Sequence, residues 1–344
     1  MTSALKVIQP GIHTTVQDLG RKGFQDAGVP VAGPLDRLSL RLANALVGNP
    51  LDTAALELVL QGPALEVQAD AVRVALAGCN TAIEIGGDQP RTIPAGQSVR
   101  LVRGETLRVS QLGDAACAYL AIEGGFDIVP VLGSMATYVR GSMGGLNGAA
   151  LKRDDALPLH QGNAPERPEL GLPGPVDLAL DAPVRVVLGP QDDYFTEAGV
   201  ATFLSGEYTV TPQSDRMGFR MDGPALEHAK GYNIVSDGIV GGSIQVPGSG
   251  MPIVLLADAQ TTGGYPKIAT VISADLPVLG RRRPGRKVRF ASVTVGEAEQ
   301  ARRDQEAEVQ RIIAALCEVS AEAAIDVAAL YRENLISGVI SHRS

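Results

Sequence analysis

Short apolar runs separated by glycine, proline and aspartate dominate the first part of the chain. Closely spaced runs bounded by turn residues are typical of the strands of a barrel or sandwich. Residues 1–150 are therefore predicted to form a β domain. Its predicted strands are Leu56–Leu60, Ala64–Val67, Val72–Leu76, Ser98–Val102, Thr106–Ser110 and Ala116–Ile122.

One helix, over residues 37–47, interrupts this pattern, because leucine and alanine repeat there at helical spacing. Asp36 can cap the helix, since its side chain can accept from the free N–H groups of the first turn. Gly48 suits the left-handed residue that ends a helix, and Pro50 prevents its continuation.

A polar, proline-rich stretch over residues 151–183 is predicted to be a linker or a long surface loop. Residues 184–295 are predicted to form a second β-rich domain with a short helix at Asp193–Phe203. The sequence Gly62–Glu66 recurs as Gly223–Glu227, which is weak support for an internal duplication. The predicted strands are Val184–Leu188, Tyr208–Thr211, Gly242–Val246, Ile253–Ala257, Ile268–Ile272 and Lys287–Phe290.

Alanine, glutamate and arginine dominate residues 296–344, which are predicted to form a helical tail. Ser320 is predicted to cap a second helix that ends near Gly338. Two interpretations fit the tail: a helical hairpin packed on the body, or a helix that binds a partner. The apolar stripe of the first helix consists of Val309, Ile312, Ile313 and Leu316.

Composition supports a turn-rich β protein, with 40 glycines, 22 prolines, an aromatic share of 4% and no Trp. Small residues must therefore fill much of the core. The net charge of −8 argues against nucleic-acid binding. Two interpretations fit the local cluster of Arg281, Arg282, Arg283 and Arg286: a charged rim that steers a partner, or a solvated turn.

The N-terminus lacks the features of a signal peptide, and the sequence lacks a long apolar run, so a cytoplasmic protein is expected. Cys79, Cys117 and Cys317 are far apart and are predicted to be buried thiols. The four histidines are scattered without metal-ligand spacing, and no metal is expected.

Candidate chemistry first occurs in a polar, glycine-rich segment, Thr14–Gln25 with Gly28–Asp36. Backbone N–H groups beside glycine can approach an anion closely, and Arg21 can bind a carboxylate or phosphate. Gln17 and Asp18 are assigned to substrate binding. The alternative is a series of turns with a solvated arginine.

A second candidate segment comprises residues 213–220, 241–247 and 258–267. Its strand Ile253–Ala257 runs into a polar loop, which is a common way to hold catalytic groups. Asp258 could serve as a base or orient one, and Lys267 could neutralise developing charge. One cleft is predicted to contain Arg216, Gln245, Asp258, Gln260, Thr262, Tyr265 and Lys267, with Gln245, Gln260 and Thr262 binding an amide or ureido edge.

The structural alternative for this segment is a pair of ion pairs, Asp215–Arg216 and Asp258–Lys267. Other familiar sites are missing from the sequence. The glycines near residue 280 lack the Lys and Ser/Thr of a phosphate-binding loop, and there is no G-x-S-x-G motif. A biotin attachment site is also missing, so any biotin must come from another protein.

Several long motifs together resemble the family of 5-oxoprolinase C subunits, also called allophanate hydrolase subunit 2 or the biotin-dependent carboxyltransferase family. The N-terminal signature is Thr14–Gly23, Gly28–Asp36, Arg41–Asn44 and Val47–Pro50, and the C-terminal signature is Gln213–Phe219, Gly242–Pro247 and Asp258–Thr270. The sequence departs from the family pattern around Gly280–Arg286 and in its longer tail.

The resemblance implies a mainly β fold of two cyclophilin-like β-barrel domains, here with a helical C-terminal tail. It implies partner A and B subunits and an ATP-dependent conversion of 5-oxo-L-proline to L-glutamate. In the mechanism we expect, the lactam oxygen is phosphorylated and the imidate is then hydrolysed. Arg21 and Lys267 would stabilise the charge, and Gln245, Gln260 and Thr262 would position the lactam.

Two other functions fit the same resemblance. One is carboxyl transfer from carboxybiotin on a separate carrier to a urea-like nitrogen. The other is non-enzymatic sequestration of a kinase-inhibitor partner. In each enzymatic case we expect the site to be completed across a subunit interface, with Gln17–Gln25 and residues 258–267 near the partner or the shared substrate.

Overall fold

The computed structural model describes residues 3–176 and 181–319. Two antiparallel sheets form the N-terminal β unit, and all their strands lie between Ala4 and Pro158. In chain order the strands are β1 (Ala4–Gln9), β2 (His13–Gln17), β3 (Ala55–Val59), β4 (Ala64–Val67), β5 (Ala71–Ala77), β6 (Ile83–Gly86), β7 (Arg91–Ile93), β8 (Ser98–Val102), β9 (Thr106–Val109), β10 (Cys117–Ile122) and β11 (Ala156–Pro158). The spatial orders are β11-β1-β4-β9-β6-β7 and β2-β3-β10-β5-β8.

The strands of the second sheet bury both faces, and residue size divides the two faces. Leu56 and Leu58 of β3 point into the core between the sheets. Ala55 on the opposite face packs against the helix α1 (Arg37–Val47), as do Ala75 and Ala77 of β5. Small side chains let the helix lie close to the sheet, whereas the core between the sheets consists mostly of leucine, valine and isoleucine.

Helix α1 has the predicted bounds and the predicted caps. The Asp36 carboxylate accepts from the backbone N–H groups of Leu38 and Ser39 at 3.0 and 3.1 Å. Gly48 ends the helix with a φ of 78°, a left-handed conformation that glycine adopts without strain.

The C-terminal β unit contains an eight-stranded sheet with its own apolar core. The short strand β12 (Leu170–Gly171) precedes this unit in the chain. The elements of the unit, in chain order, are β13 (Val184–Leu188), α2 (Glu197–Ser205), β14 (Tyr208–Val210), β15 (Gly218–Asp222), β16 (Asp237–Gly238), β17 (Ser243–Gln245), β18 (Ile253–Leu255), β19 (Thr262–Gly263), β20 (Lys267–Val271), α3 (Leu276–Gly280), β21 (Lys287–Val288) and β22 (Phe290–Ser292). The spatial order of the sheet is β21-β14-β15-β18-β17-β20-β13-β22, and β16 pairs separately with β19. The mainly β fold is thus confirmed, with few helices among the described residues.

Several local predictions differ from the structure. The helix predicted at Asp193–Phe203 starts later, because the Thr196 side chain accepts from the Gly199 N–H group and fixes the start of α2 at Glu197. The strand predicted at Lys287–Phe290 divides into β21 and β22, which pair with different neighbours. Helix α3 was not predicted.

The stretch predicted as a linker does not separate the two units cleanly. Its residues 156–158 form β11 at the edge of the N-terminal sheet, with Leu157 fully buried. Glu169 farther along accepts from the Arg73 side chain at 2.9 Å, which fastens the stretch to the N-terminal unit. The two copies of the repeated pentapeptide are also not equivalent, since Gly62–Glu66 leads into β4 and Gly223–Glu227 lies outside any strand.

The tail begins with helix α4 (Val295–Ala314), which Thr294 and Glu297 start with a capping box. Val309 of its apolar stripe is buried, while Ile312, Ile313 and Leu316 pack in part against the α1 cluster. Its last strand, β23 (Cys317–Glu318), pairs with β12. The second helix predicted for the tail lies outside the described residues, within which no helix is long and apolar enough to cross a membrane.

Two of the three cysteines match the prediction. Cys79 and Cys117 are buried, and burial raises the pKa of the Cys79 thiol to about 11. The prediction for Cys317 is wrong, because this thiol is exposed at the short strand pair between β12 and β23.

Candidate functional site between the two units

The loop that follows β2 carries the N-terminal unit onto the C-terminal unit. Asp18 fixes its start, because the carboxylate accepts from the Gly20 N–H group at 2.9 Å and from Ser134 and Met135 at 2.6 Å each. At the far end of the loop, the Ala32 N–H group donates to the carbonyl of Ala257 at 3.0 Å. We call the contact between the two units, to which this loop belongs, the seam.

Arg216 occupies the centre of the seam and is 7% exposed. Its Nε and Nη2 donate to the two oxygens of Asp258 at 2.9 Å each, and Nη1 donates to Glu57 of the N-terminal unit. Nη2 also donates to the Gly33 carbonyl at 2.7 Å. Burial opposes the charged form of Arg216, but the carboxylates of Glu57 and Asp258 outweigh it and raise its pKa.

A second buried ion pair extends the network along the seam. Arg281 of the C-terminal unit donates from Nε to Asp36 at 2.6 Å, and both side chains are almost fully buried. Tyr119 links the two pairs, since its hydroxyl donates to Glu57 and accepts from the Asp36 N–H group at 2.9 Å. Burial and the charge of Glu57 raise the pKa of Tyr119, so it stays neutral.

A cavity of about 370 Å³, the seam cavity, opens beside Arg216 and Asp258. Its polar groups come from both units. Burial and the charge of Arg216 lower the pKa of His13, so the imidazole in the cavity is neutral near pH 7. The other lining residues are Leu35, Val59, Leu60, Ala116, Val139, Arg140, Ser214, Asp215, Met217, Phe219, Gly280, Arg282 and Pro284.

Arg282 brings a second buried cation to this cavity. Its two terminal nitrogens donate to the carbonyls of Lys287 and Ala182, while Nε has no hydrogen-bond partner among the described residues. Burial lowers its pKa, which means that an anionic ligand would stabilise the charged form. Arg140 at the mouth is exposed and lies 3.6 Å from Asp215.

The arrangement suits a small, negatively charged molecule with an apolar body. Arg140 and Arg282 supply positive charge, His13 offers a neutral donor or acceptor, and the walls are mostly apolar. Both oxygens of Asp258 are engaged by Arg216, so this carboxylate is held in a fixed orientation.

The residues of the predicted cleft lie in three places. Arg216 and Asp258 line the seam cavity. Gln260 is exposed and lines a second cavity of about 460 Å³, the loop cavity, together with Ala32 and Ala257. The third place, around Lys267, holds Gln245, Thr262 and Tyr265.

At this third place Lys267 is buried and its Nζ donates to Asp237 at 2.6 Å and to the Gly238 carbonyl at 3.0 Å. Gln245 donates to the Tyr265 carbonyl at 3.4 Å, and the exposed Thr262 pairs with Gly238. The ion pairs predicted as the structural alternative are therefore wrong, since Asp258 pairs with Arg216 and Lys267 pairs with Asp237.

The predicted N-terminal residues hold the loop at 134–137 and do not line the seam cavity. Gln17 donates to the Thr137 carbonyl at 3.1 Å, and Asp18 binds Ser134 and Met135. Arg21 is buried and donates to the Ala136 carbonyl, so the interpretation as a solvated arginine is wrong.

Neither interpretation of the arginine cluster holds for its first two members. Arg281 and Arg282 are buried at the seam, because Asp36 and backbone carbonyls accept from them. Arg283 donates to the Gly113 carbonyl, and Arg286 pairs with Asp114. The cluster as a whole joins the two units.

Sequence reasoning missed Glu57, Tyr119 and His13. Glu57 carried a usable signal: a charged residue inside the apolar run Leu56–Leu60, on the face opposite Leu56 and Leu58. A carboxylate at such a position requires a buried partner. Among the described residues, no group of His, Cys, Asp and Glu could hold a metal ion.

Comparisons with known proteins identify the family to which the chain is similar. The family described as carboxyltransferase domain, subdomain A and B, matches residues 27–292. The chain is 36% identical to the C subunit of 5-oxoprolinase from Escherichia coli (strain K12), over 88% of this chain and 95% of that protein. It is 30% identical to urea amidolyase of Saccharomyces cerevisiae, over 90% of this chain but 18% of that protein.

Two solved structures have similar folds. Urea amidolyase of Kluyveromyces lactis superposes with a TM-score of 0.83 and 30% identity, over 90% of this chain and 20% of that chain. The structure of TTHA0988 superposes with a TM-score of 0.75 and 37% identity, over 85% of this chain and 56% of that chain. The chain therefore spans about a fifth of the first protein and about half of the second.

Proposed function

The chain belongs to the carboxyltransferase domain family, subdomains A and B, and from this premise we propose that it is the C subunit of an ATP-dependent 5-oxoprolinase. The observation that carries the proposal is the match to the corresponding E. coli protein over 95% of that protein's length. The urea amidolyases match over only 18% of theirs, as one part of a much larger protein.

The seam cavity supports a lactam that carries a carboxylate as the substrate. Arg140 and Arg282 would attract the carboxylate of 5-oxoproline, and the charge of the buried Arg282 would be the less screened by solvent. His13, neutral near pH 7, would hydrogen-bond the lactam edge. The apolar walls would pack on the ring.

The proposed reaction has three steps. The γ-phosphoryl group of ATP moves to the lactam oxygen and ADP leaves. Water then adds to the ring carbon, and the carbon–nitrogen bond breaks to give an acyl phosphate with a free amine. A second water releases phosphate and leaves glutamate.

In these steps the groups of this chain bind and orient the substrate. Arg216 fixes the Asp258 carboxylate at the cavity wall, so Asp258 is proposed as a positioning group, or as a base once that pair loosens. The charges that the sequence assigned to Arg21 and Lys267 would come instead from Arg140 and Arg282. The partner A and B subunits would complete the site.

The test is reconstitution of the full chain with its A and B partners, followed by measurement of ATP-dependent glutamate release from 5-oxoproline. We expect no turnover from the chain alone. In the complex, Arg282→Gln should raise KM about tenfold, as expected for one lost charge-assisted hydrogen bond, with a smaller rise for Arg140→Gln.

The matched control is Arg289→Gln, which removes an exposed arginine of the same unit that pairs with Glu207. Its KM should equal that of the unaltered protein. Glutamate release by the chain without partners would refute the shared site, and an unchanged KM in both cavity variants would refute the substrate position.

The second candidate function is carboxyl transfer, favoured by the TM-score of 0.83 with urea amidolyase. Leu35, Met217 and Phe219 would then hold a ureido ring, and bound carboxybiotin would supply a carboxyl group. Bicarbonate-dependent, avidin-sensitive turnover with a biotin carboxylase partner would favour this function. A complex with its partners that turns over neither substrate would favour sequestration of a partner protein.

A further inference from the structure

The loop cavity contains positive charge that the proposed lactam site does not use. It lies between residues 22–37 of the N-terminal unit and residues 239–241, 256–261 and 276–277 of the C-terminal unit. Ile239, Val240 and Leu276 form apolar walls. Its cationic lining residues are Lys22 and Arg37.

Neither of these cations forms an ion pair with a described acidic residue. Arg302 of α4 lies close enough for its charge to act on Arg37 and on the carboxylate of Glu306. Burial, followed by the charges of Arg302 and Arg41, lowers the pKa of Arg37. Arg41 does not add to the excess, because Glu306 accepts from both of its terminal nitrogens at 2.7 Å each.

The position of Arg37 is unfavourable without a ligand. It is the first residue of α1, where the helix dipole disfavours positive charge, and the first turn contains no acidic residue. The chain as a whole carries a net charge of −8, so acidic residues are abundant elsewhere. A cluster of like charges at a cavity destabilises the fold slightly, and an anion bound there would remove that cost.

We propose that the loop cavity is a binding site for a phosphate group, held by its two lining cations, Lys22 and Arg37. The planar fork of an arginine matches the oxygens of a phosphate, and a lysine adds a compact point charge. Two cations without an acidic partner at one cavity favour a doubly charged phosphate over a single carboxylate. The Gln25 and Gln260 side chains can donate to the remaining oxygens from the cavity wall.

The phosphate group has two sources that the site would treat alike: a nucleotide or free inorganic phosphate. The inference is independent of the lactam site, because it concerns a different cavity of the isolated chain. A phosphate-bearing ligand would then bind to this chain. The proposed function does not state which subunit binds such a ligand.

The test is calorimetric titration of the isolated full chain at low salt with ATP, pyrophosphate, inorganic phosphate and acetate. We expect saturable binding of at least one phosphate compound. Arg37→Gln and Lys22→Gln should each weaken it about tenfold, the loss of roughly one charge-assisted contact. Tighter binding of ATP would identify a nucleotide as the source, and equal affinities would identify free phosphate.

Arg303→Gln is the control, since it removes the same charge from an exposed position of α4 outside the cavity lining, where Arg303 lies 3.8 Å from Glu299. It should bind phosphate compounds within about twofold of the unaltered chain, because an exposed, paired charge contributes little. The melting temperature gives a second readout: phosphate should raise it in the unaltered chain and not in Arg37→Gln.

Three results would overturn the proposal. They are no saturable binding of any phosphate compound, equal affinity for acetate, or equal weakening by Arg303→Gln. Because the titration uses no partner protein, its failure would leave the 5-oxoprolinase assay unaffected.

Discussion

Leu35 lines both cavities, and Arg216 of the first and Arg37 of the second use positive charge in opposite ways. At the floor of the seam cavity, Arg216 is buried and paired with two carboxylates. In the loop cavity, Lys22 and Arg37 have no acidic partner among the described residues. A fully paired buried cation fixes the structure, whereas an unpaired cation at a cavity is available to a ligand. We therefore expect the seam network to stabilise the fold and the loop cavity to bind a ligand.

The sharpest way to break this comparison is to remove Arg216. Arg216→Met should destabilise the fold by about 3–5 kcal/mol, because Glu57 and Asp258 would remain buried without their partner. Urea unfolding of the full chain measures this change. Arg289→Met, which removes an exposed arginine, should cost less than about 0.5 kcal/mol. Equal effects of the two variants would contradict the structural task of the network.

Asp36 stabilises the fold in two ways, as the cap of α1 and as the ion-pair partner of Arg281, and the two contributions can be measured separately. Asp36→Ala should cost about 3 kcal/mol, because it removes the α1 cap and leaves Arg281 buried without this carboxylate. Asp36→Asn retains a capping oxygen. The difference in unfolding free energy between Asp36→Asn and Asp36→Ala therefore measures the contribution of the cap, about 1 kcal/mol. Equal stability of Asp36→Asn and the unaltered chain would show that the charge contributes nothing.

The smallest expected effect lies in the half-exposed ion pair of Arg41 and Glu306, which joins α1 to α4. Hydrogen bonds from Arg41 and Gln310 lower the pKa of Glu306 to about 2. The folded-state pKa is depressed, so the pair stabilises above the unfolded value near 4.5, and this contribution is lost as pH falls towards 2.

Glu306→Gln should therefore cost about 0.5 kcal/mol at pH 7, since solvent screens this half-exposed pair. The cost should shrink steadily in urea titrations between about pH 4.5 and 2.5. A cost that is constant over this range would show that the carboxylate charge is not responsible. Glu299→Gln on the same helix provides the control, since Glu299 is exposed and its contact with Arg303 is 3.8 Å long.

Local signals in the sequence were sufficient for much of the fold. The cap at Asp36, the left-handed Gly48 and the helical spacing between them determined the bounds of α1. The alternation of Leu56 and Leu58 with smaller or polar residues determined which face of β3 meets the core. These signals act between near neighbours in sequence, so one sequence is enough to read them.

The partners across the seam could not be predicted in this way. Asp258 lies near Lys267 in sequence, yet its partner is Arg216, because β15 and β18 are neighbours in the sheet and Arg216 and Asp258 stand next to their paired ends. The burial of Arg281 depends on how the two units dock. Strand order and docking are properties of the whole chain, and no local pattern encodes them.

The distance along the chain between the partners in the seam network has a consequence for synthesis on the ribosome. Glu57 and Asp36 belong to the first unit to emerge, while their counter-charges, Arg216 and Arg281, follow 159 and 245 residues later. At typical elongation rates the second interval lasts on the order of ten seconds or more. During that interval both carboxylates of the nascent N-terminal unit must stay hydrated. The contact between the two units can therefore form only after the C-terminal unit has been synthesised.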